Sequence, residues 1–262
     1  MKAIRVSASA GARYEVSSFG LPAVHRRGSP CFLSRPRRPP ESAQADGLRT
    51  IRLTGGRFGL ASQPGRLLTF VISGQLTIDP EPADPITLEA GDILLTEGGS
   101  ADHLPASASR SCHLIQIGLP EGWPGEVAPL DVPGTIIPRN GEMPNVKRLF
   151  TGRDGKSHFT RFPELFASVP DRWSAPVPVG GFRILCWENG GVGWHPGNAR
   201  QLAIFLSGET QVEVGGGGGA IEIFRAGDIC LGMDCIGQGH SDRALGAAYS
   251  VLLTVQADHH WR

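Results

Sequence analysis

The chain lacks any apolar run approaching the roughly 20 residues that cross a bilayer as a helix. It also lacks net charge, because 25 acidic and 25 basic side chains balance. Without an excess of either sign, no overall field attracts nucleic acid or an anionic membrane. We therefore expect a soluble protein whose partner is a small-molecule ligand, with no nucleic acid and no membrane as partners, and we leave a homodimer open.

Closely spaced cysteine pairs are missing as well. The five cysteines are odd in number and include no Cys-x-x-Cys pair, which argues against a disulfide framework and a zinc ribbon. We expect reduced thiols, most of them buried. Glycine and proline are abundant instead, with 36 and 21 residues, and this composition favours short strands and many turns over long helices.

Short alternating strands dominate the last third of the chain. Apolar and polar side chains alternate over 210–214 and over 221–224, and five glycines at 215–219 join the two stretches. This pattern predicts a hairpin. The turn Arg225-Ala-Gly-Asp228 follows, and 229–233 is apolar enough for a buried strand.

Two histidine-bearing phrases enclose this segment, Trp194-His195-Pro at its start and Gly237-Gln-Gly-His240 at its end. With these phrases the segment resembles the cupin superfamily, and in particular a bacterial subgroup with a Gly-x-Gly-His turn. Metal-binding cupins offer His-x-His and then a Glu in the first motif. Here Gln201 stands at the glutamate position, and only His195 remains of the histidine pair.

An internal repeat links this segment to the first half of the chain. Ile72-Ser-Gly-Gln75 matches Leu206-Ser-Gly-Glu209, and Ala90-Gly-Asp-Ile93 matches Ala226-Gly-Asp-Ile229, in the same order and at nearly one offset. The repeat predicts a duplicated barrel. Together with the resemblance, it predicts an all-β fold of two tandem cupin-type jelly-roll barrels packed face to face, a bicupin.

Four regions follow from this interpretation. Residues 1–46 are Arg-rich and poor in acids, and we interpret them as a variable or disordered segment. Residues 47–119 form a degenerate first barrel, 120–178 connect the barrels, and 179–262 form the barrel with the candidate pocket. The expected location is the cytoplasm, or an organelle if 1–46 is a transit peptide.

The first barrel has lost its polar centre. Leu67 stands where the second barrel has Gln201, Ala61 lies near the position of His195, and only His103 remains near the second motif. One ligand cannot hold a metal against water. We therefore expect the first barrel to be a structural partner. Since both faces of 201–206 are apolar, that strand should be covered on both sides, by its own barrel and by the first barrel or a second subunit.

The resemblance implies that the mouth of the second barrel holds the site. His195 and His240 are the candidate catalytic residues, and with Gln201 they form the candidate metal-ligand set, to which Asp234 could add an anion. The candidate ligand-binding residues are Gln201, Arg200, Trp194, Phe205 and Arg243.

The chemistry of this site is left open between two forms. The site holds either one divalent metal (Fe, Mn, Ni or Zn) or none, in which case a histidine acts as acid or base or only caps a turn. We expect the second barrel to bind a small organic acid or sugar-like ligand, either as a binding protein or as a weakly metal-dependent enzyme. The alternatives are a metal-free isomerase or epimerase and a non-catalytic structural or storage bicupin. An enzyme would be a cupin-type oxygenase or isomerase.

Overall fold

The computed structural model describes residues 1–9, 13–19, 23–26, 47–61, 66–97, 103–119, 144–166, 169–187 and 189–256. Cys31, the pair His259 and His260, and most of the Arg-rich stretch before residue 47 lie outside these ranges. No helix in the described ranges is long and apolar enough to cross a membrane.

Strands account for nearly all of the regular structure. A single turn of 3-10 helix covers Pro163–Phe166 in the described chain. The strands, in chain order, are β1 (Ala3–Ser9), β2 (Arg13–Ser18), β3 (Ala23–Arg26), β4 (Leu48–Leu53), β5 (Gly56–Ala61), β6 (Arg66–Ser73), β7 (Gln75–Ile78), β8 (Ile86–Glu89), β9 (Ile93–Glu97), β10 (His103–Ala108), β11 (Cys112–Leu119), β12 (Val146–Thr151), β13 (Ser157–Arg161), β14 (Val179–Trp187), β15 (Gly190–His195), β16 (Gln201–Ser207), β17 (Thr210–Glu213), β18 (Ile221–Phe224), β19 (Ile229–Met233), β20 (His240–Ala244) and β21 (Ala248–Val255).

Each half of the chain contains eight antiparallel strands in the same arrangement. In the first half the strand orders β9-β6-β11-β4 and β5-β10-β7-β8 form two facing sheets. In the second half the orders are β19-β16-β21-β14 and β15-β20-β17-β18. Two four-stranded sheets connected in this way form a jelly roll. The all-β fold class, the duplication and the two tandem barrels are therefore confirmed.

A two-stranded hairpin precedes each barrel and extends one of its sheets. Strand β1 runs parallel to β9 and pairs with β2, and β12 runs parallel to β19 and pairs with β13. Strands therefore lie within 1–46, the segment interpreted as variable, and within 120–178, the connecting segment.

The chain crosses between the barrels twice. Strand β3 leaves the first hairpin and pairs in parallel with β14 of the second barrel. In return, the segment after the 3-10 helix reaches β4 of the first barrel, where Val177 and Leu48 exchange two backbone hydrogen bonds of 2.7 and 2.8 Å. Each barrel therefore covers an edge of the other.

The largest apolar cluster lies between the two barrels. On β16, Leu202, Ile204 and Leu206 face this cluster, whereas Phe205 points into the interior of the second barrel. Both faces of the strand are covered, as its sequence predicts. The first barrel's side of the cluster includes Leu68, Phe70, Ile72, Ile93, Leu95, Ile115 and Ile117.

The described cysteines are all free thiols. Cys112, Cys186 and Cys230 are buried, and Cys235 is half-buried. This agrees with the expectation of reduced, mostly buried thiols. Burial raises the pKa of the Cys112 thiol to about 12, so this side chain stays protonated and unreactive at neutral pH.

Candidate functional site

Two neighbouring strands of the second barrel bring the two predicted histidines together. His195 at the end of β15 is the register partner of His240 at the start of β20. Because side chains two apart on a strand share a face, Asp242 lies on the same face as His240. Val212, the partner of Asp242 on β17, is buried in the barrel core, so this face is the interior one.

The three side chains form a compact group of nitrogen and oxygen atoms. His195 Nε2 lies 3.9 Å from Asp242 Oδ2, and His240 Nε2 lies 3.5 Å from Asp242 Oδ1. One ligand atom from each residue lies within 4.8 Å of the other two. The imidazole ring centroids are 4.6 Å apart.

Hydrogen bonds fix which ring nitrogens face this group. His195 Nδ1 donates to the Gly193 carbonyl oxygen at 2.8 Å, and His240 Nδ1 donates to Asp234 Oδ2 at 2.7 Å. Since both acceptors lack a proton to give, Nδ1 carries the hydrogen on each neutral ring. The lone pair of each neutral ring is then on Nε2, the nitrogen that faces Asp242.

A buried carboxylate lies behind His240. Asp234 is 0% exposed, and its Oδ2 accepts a second hydrogen bond from Ser157 Oγ at 2.8 Å. Burial disfavours the charged form of the His240 imidazole, but hydrogen bonds to Asp234 and Asp242 outweigh that effect and raise its pKa to about 10. In the metal-free protein this imidazole is therefore a cation at neutral pH.

The donor set fits a divalent metal ion. Two imidazole Nε2 atoms and one carboxylate make the 2-His-1-carboxylate set that suits non-haem iron and related ions. The Nδ1–H bonds to Asp234 and to a backbone carbonyl are the outer hydrogen bonds that metal-ligating histidines usually make. His195, His240 and Asp242 could thus hold such an ion, and Asp242 supplies the negative charge that Gln201 lacks.

Other residues predicted for the site lie at different depths. Gln201 is half-buried on the barrel-facing side of β16, with Phe205 on the same side four residues further along. Phe205 is buried and stacks on Phe224 with ring centroids 4.7 Å apart. It is a core residue of the barrel.

The remaining predicted ligand-binding residues lie outside the three-residue group. Arg243 is exposed and alternates with Asp242 and Ala244, so the strand directs it to the outer face. Trp194 is 40% exposed. Arg200 is half-buried, its carbonyl accepts a hydrogen bond from the Val255 N–H at 3.0 Å, and its charge acts on the Cys235 thiol.

A groove of about 690 Å³ lies beside the site, between β13 and the glycine loop 215–219. Lys147, Ser157 and Phe159 are among its lining residues. Ser157 of this lining is connected to His240 by hydrogen bonds through Asp234.

The first barrel has the same backbone register at this place with different residues. Ala106 pairs with Ile78 on β7 as Asp242 pairs with Val212 on β17, so Ala106 occupies the position of Asp242. Leu104, two residues earlier on the same face, occupies the position of His240, and both side chains are buried and apolar. This supports the prediction that its polar centre is lost.

No family model and no curated protein matches the chain. Solved structures do match. A cupin 2 conserved barrel domain protein from Leptotrichia buccalis is 12% identical, with a TM-score of 0.36 over 82% of this chain and 92% of that one.

Two further solved structures illustrate the range. A protein of unknown function from Pseudomonas syringae is 13% identical, with a TM-score of 0.40 over 97% of this chain and 100% of the other. An oxalate decarboxylase from Bacillus subtilis, which has Mn(II) centres, is 15% identical, with a TM-score of 0.28 over 84% and 75%.

The strand order in both halves is the deciding observation. The chain folds into two tandem jelly-roll barrels, the architecture expected of a bicupin. Within the second barrel the sequence motifs pointed to His195 and His240 but not to Asp242. The spacing His240-x-Asp242 was the available signal, since a strand at this place puts both side chains on one face. Ser157 gave no comparable signal, because it lies on a hairpin far away in sequence.

Proposed function

We propose that the second barrel of this bicupin binds one divalent metal ion through His195, His240 and Asp242. The metal site in turn binds a small organic acid or sugar-like ligand, and the protein is a metal-dependent enzyme acting on it. The observation that carries the proposal is the convergence of two Nε2 atoms and one carboxylate within 4.8 Å on the interior face of a barrel. A bound divalent ion supplies Lewis acidity and a coordination position for an anionic oxygen of the ligand.

The chain's own residues support this role in two ways. Hydrogen bonds at Nδ1 orient both imidazoles, so little conformational freedom is lost when Nε2 coordinates an ion. Asp242, partly exposed beside them, offsets part of the ion's charge and leaves the site open on one side. An organic anion is the ligand class that a residual positive charge favours.

The test is the metal content of the full chain by inductively coupled plasma mass spectrometry. We expect about one Fe, Mn, Ni or Zn per chain, lost in His195→Ala/His240→Ala. The matched control is His158→Ala, which removes a histidine of β13 that pairs with Asp154. A second control, His259→Ala/His260→Ala, removes adventitious binding by the terminal pair. Metal only at trace level, or metal retained in the double variant, contradicts the proposal.

A second candidate function follows from the raised pKa of His240. Without a metal, its imidazolium is a proton donor beside Asp242, which suits a metal-free isomerase or epimerase. Melting shifts with small organic acids, measured in EDTA and with added metal, separate the two candidates. Shifts that need the metal favour the first, and shifts that persist in EDTA favour the second.

A further inference from the structure

The hydrogen bonds behind His240 form a chain of three side chains. Ser157 Oγ donates to Asp234 Oδ2 at 2.8 Å, and His240 Nδ1 donates to the same oxygen at 2.7 Å. Both Ser157 and Asp234 are fully buried. Neither belongs to the three-residue metal group, and Ser157 comes from β13, a strand of the preceding hairpin.

Asp234 is also connected to the element that carries the other histidine. Its backbone carbonyl accepts a hydrogen bond from the Gly197 N–H at 3.1 Å, in the turn that follows His195. Close by, Gly239 packs against the His195 carbonyl so tightly that a Cβ there would overlap it. Asp234 thus connects the side chain of His240 to the backbone that follows His195.

We infer that Asp234 is a positioning residue for the metal site and that Ser157 holds its carboxylate in place, an inference that rests on the proposed function. A charged acceptor makes a stronger bond to Nδ1–H than a neutral one, so it fixes the ring plane and increases the electron density at Nε2. The hairpin β12–β13 then contributes to the site without contacting the ligand.

The test measures Co²⁺ affinity and the visible spectrum of the Co²⁺ complex in full-length variants. We expect Asp234→Asn to weaken Co²⁺ binding about 10- to 100-fold and to change the spectrum, the range typical for outer-shell partners of metal-binding histidines. Ser157→Ala should weaken binding less, and Ser157→Thr, which keeps the hydroxyl, should restore wild-type affinity. The matched control is Asp154→Asn, an exposed aspartate on the same hairpin.

A second readout does not need a metal. In the metal-free protein, the His240 Nδ1–H proton should give a downfield NMR signal that Asp234→Asn abolishes and Asp154→Asn leaves unchanged. If wild type binds no Co²⁺, the proposed function fails while this signal still reports the pairing. If wild type and Asp234→Asn bind Co²⁺ equally tightly with identical spectra, the positioning role of Asp234 is overturned and the metal site stands.

Discussion

Gly227 of the second barrel lies directly against the carbonyl oxygen of Ile72 in the first, and a Cβ at position 227 would overlap that oxygen. The relationship is reciprocal, because Gly91 lies in the same way against the carbonyl oxygen of Leu206. The two repeated phrases of the sequence therefore meet across the interface. The Gly-Asp turn of each barrel packs on the Ser-Gly strand end of the other.

Gly227→Ala should destabilise the protein strongly. Residue 227 has a φ of 85°, so alanine adds left-handed backbone strain to the overlap with Ile72. We expect a loss of about 3 kcal/mol or more in urea unfolding. Gly217→Ala is the control, because φ is 90° but nothing lies within 4 Å, and it should lose only about 1 kcal/mol. Equal losses would show that the barrels do not pack this closely.

Asp242 and Gln201 should differ sharply in metal binding. Asp242→Asn removes the anionic ligand beside both histidines, so we expect affinity to fall by more than the roughly 10- to 100-fold typical of outer-shell changes. Gln201→Ala should change it by less than about threefold, since the carboxylate role lies with Asp242. Isothermal titration with Mn²⁺ measures both. If Gln201→Ala lowers the Mn²⁺ affinity more than Asp242→Asn does, Gln201 is the third ligand, at the position that the cupin motif indicates.

The metal-free protein should lose stability as the pH rises through about 10. His240 has a folded pKa raised to about 10, above the unfolded value near 6.5, so its contribution is complete below pH 6.5 and disappears above 10. The unfolding free energy of wild type relative to His240→Gln in EDTA should shrink between pH 7 and pH 10.5 by on the order of 1–3 kcal/mol. A pH-independent difference would contradict the paired imidazolium.

His113 in the first barrel should make the protein less stable at low pH, whereas His240 makes it less stable at high pH. Burial lowers its pKa, helped by the nearby charge of Arg52, although a hydrogen bond to the Ser111 carbonyl opposes the shift. Its Nδ1 lies 2.7 Å from Ser73 Oγ, and its buried Nε2 has no hydrogen-bond partner in the described chain. Below pH 6.5 the imidazole is protonated in the unfolded chain but stays neutral in the folded chain. The free energy of unfolding therefore decreases as the pH decreases.

Urea unfolding of wild type and His113→Gln between pH 7.5 and pH 5 measures this effect. The wild type should lose more stability over that range than the variant. Parallel curves would mean that His113 accepts a proton in the folded protein as readily as in the unfolded chain.

The sequence predicted the two barrels and two of the three residues of the candidate site, His195 and His240, for identifiable physical reasons. Alternating strands, Gly-Asp turns and a repeated phrase are local signals, and they predicted the architecture and the pairing of His195 with His240. The crossing strand β3 pairs with β14, and the hairpin β12–β13 pairs with β19. Because these partners lie far away in sequence, local patterns could not show where the two elements bind. Ser157 and Asp234 meet only because of that hairpin.

The two halves exchange segments as the subunits of a domain-swapped homodimer do, but here both halves belong to one chain. Strand β3 leaves the first half for β14 of the second, and Val177 crosses back to Leu48. In a true dimer such an interface would make stability depend on protein concentration, whereas fusion removes that dependence. Fusion also frees the two copies to diverge. The second barrel can keep polar side chains at 240 and 242, while the first has the apolar Leu104 and Ala106 there and provides the apolar surface on which the second barrel packs.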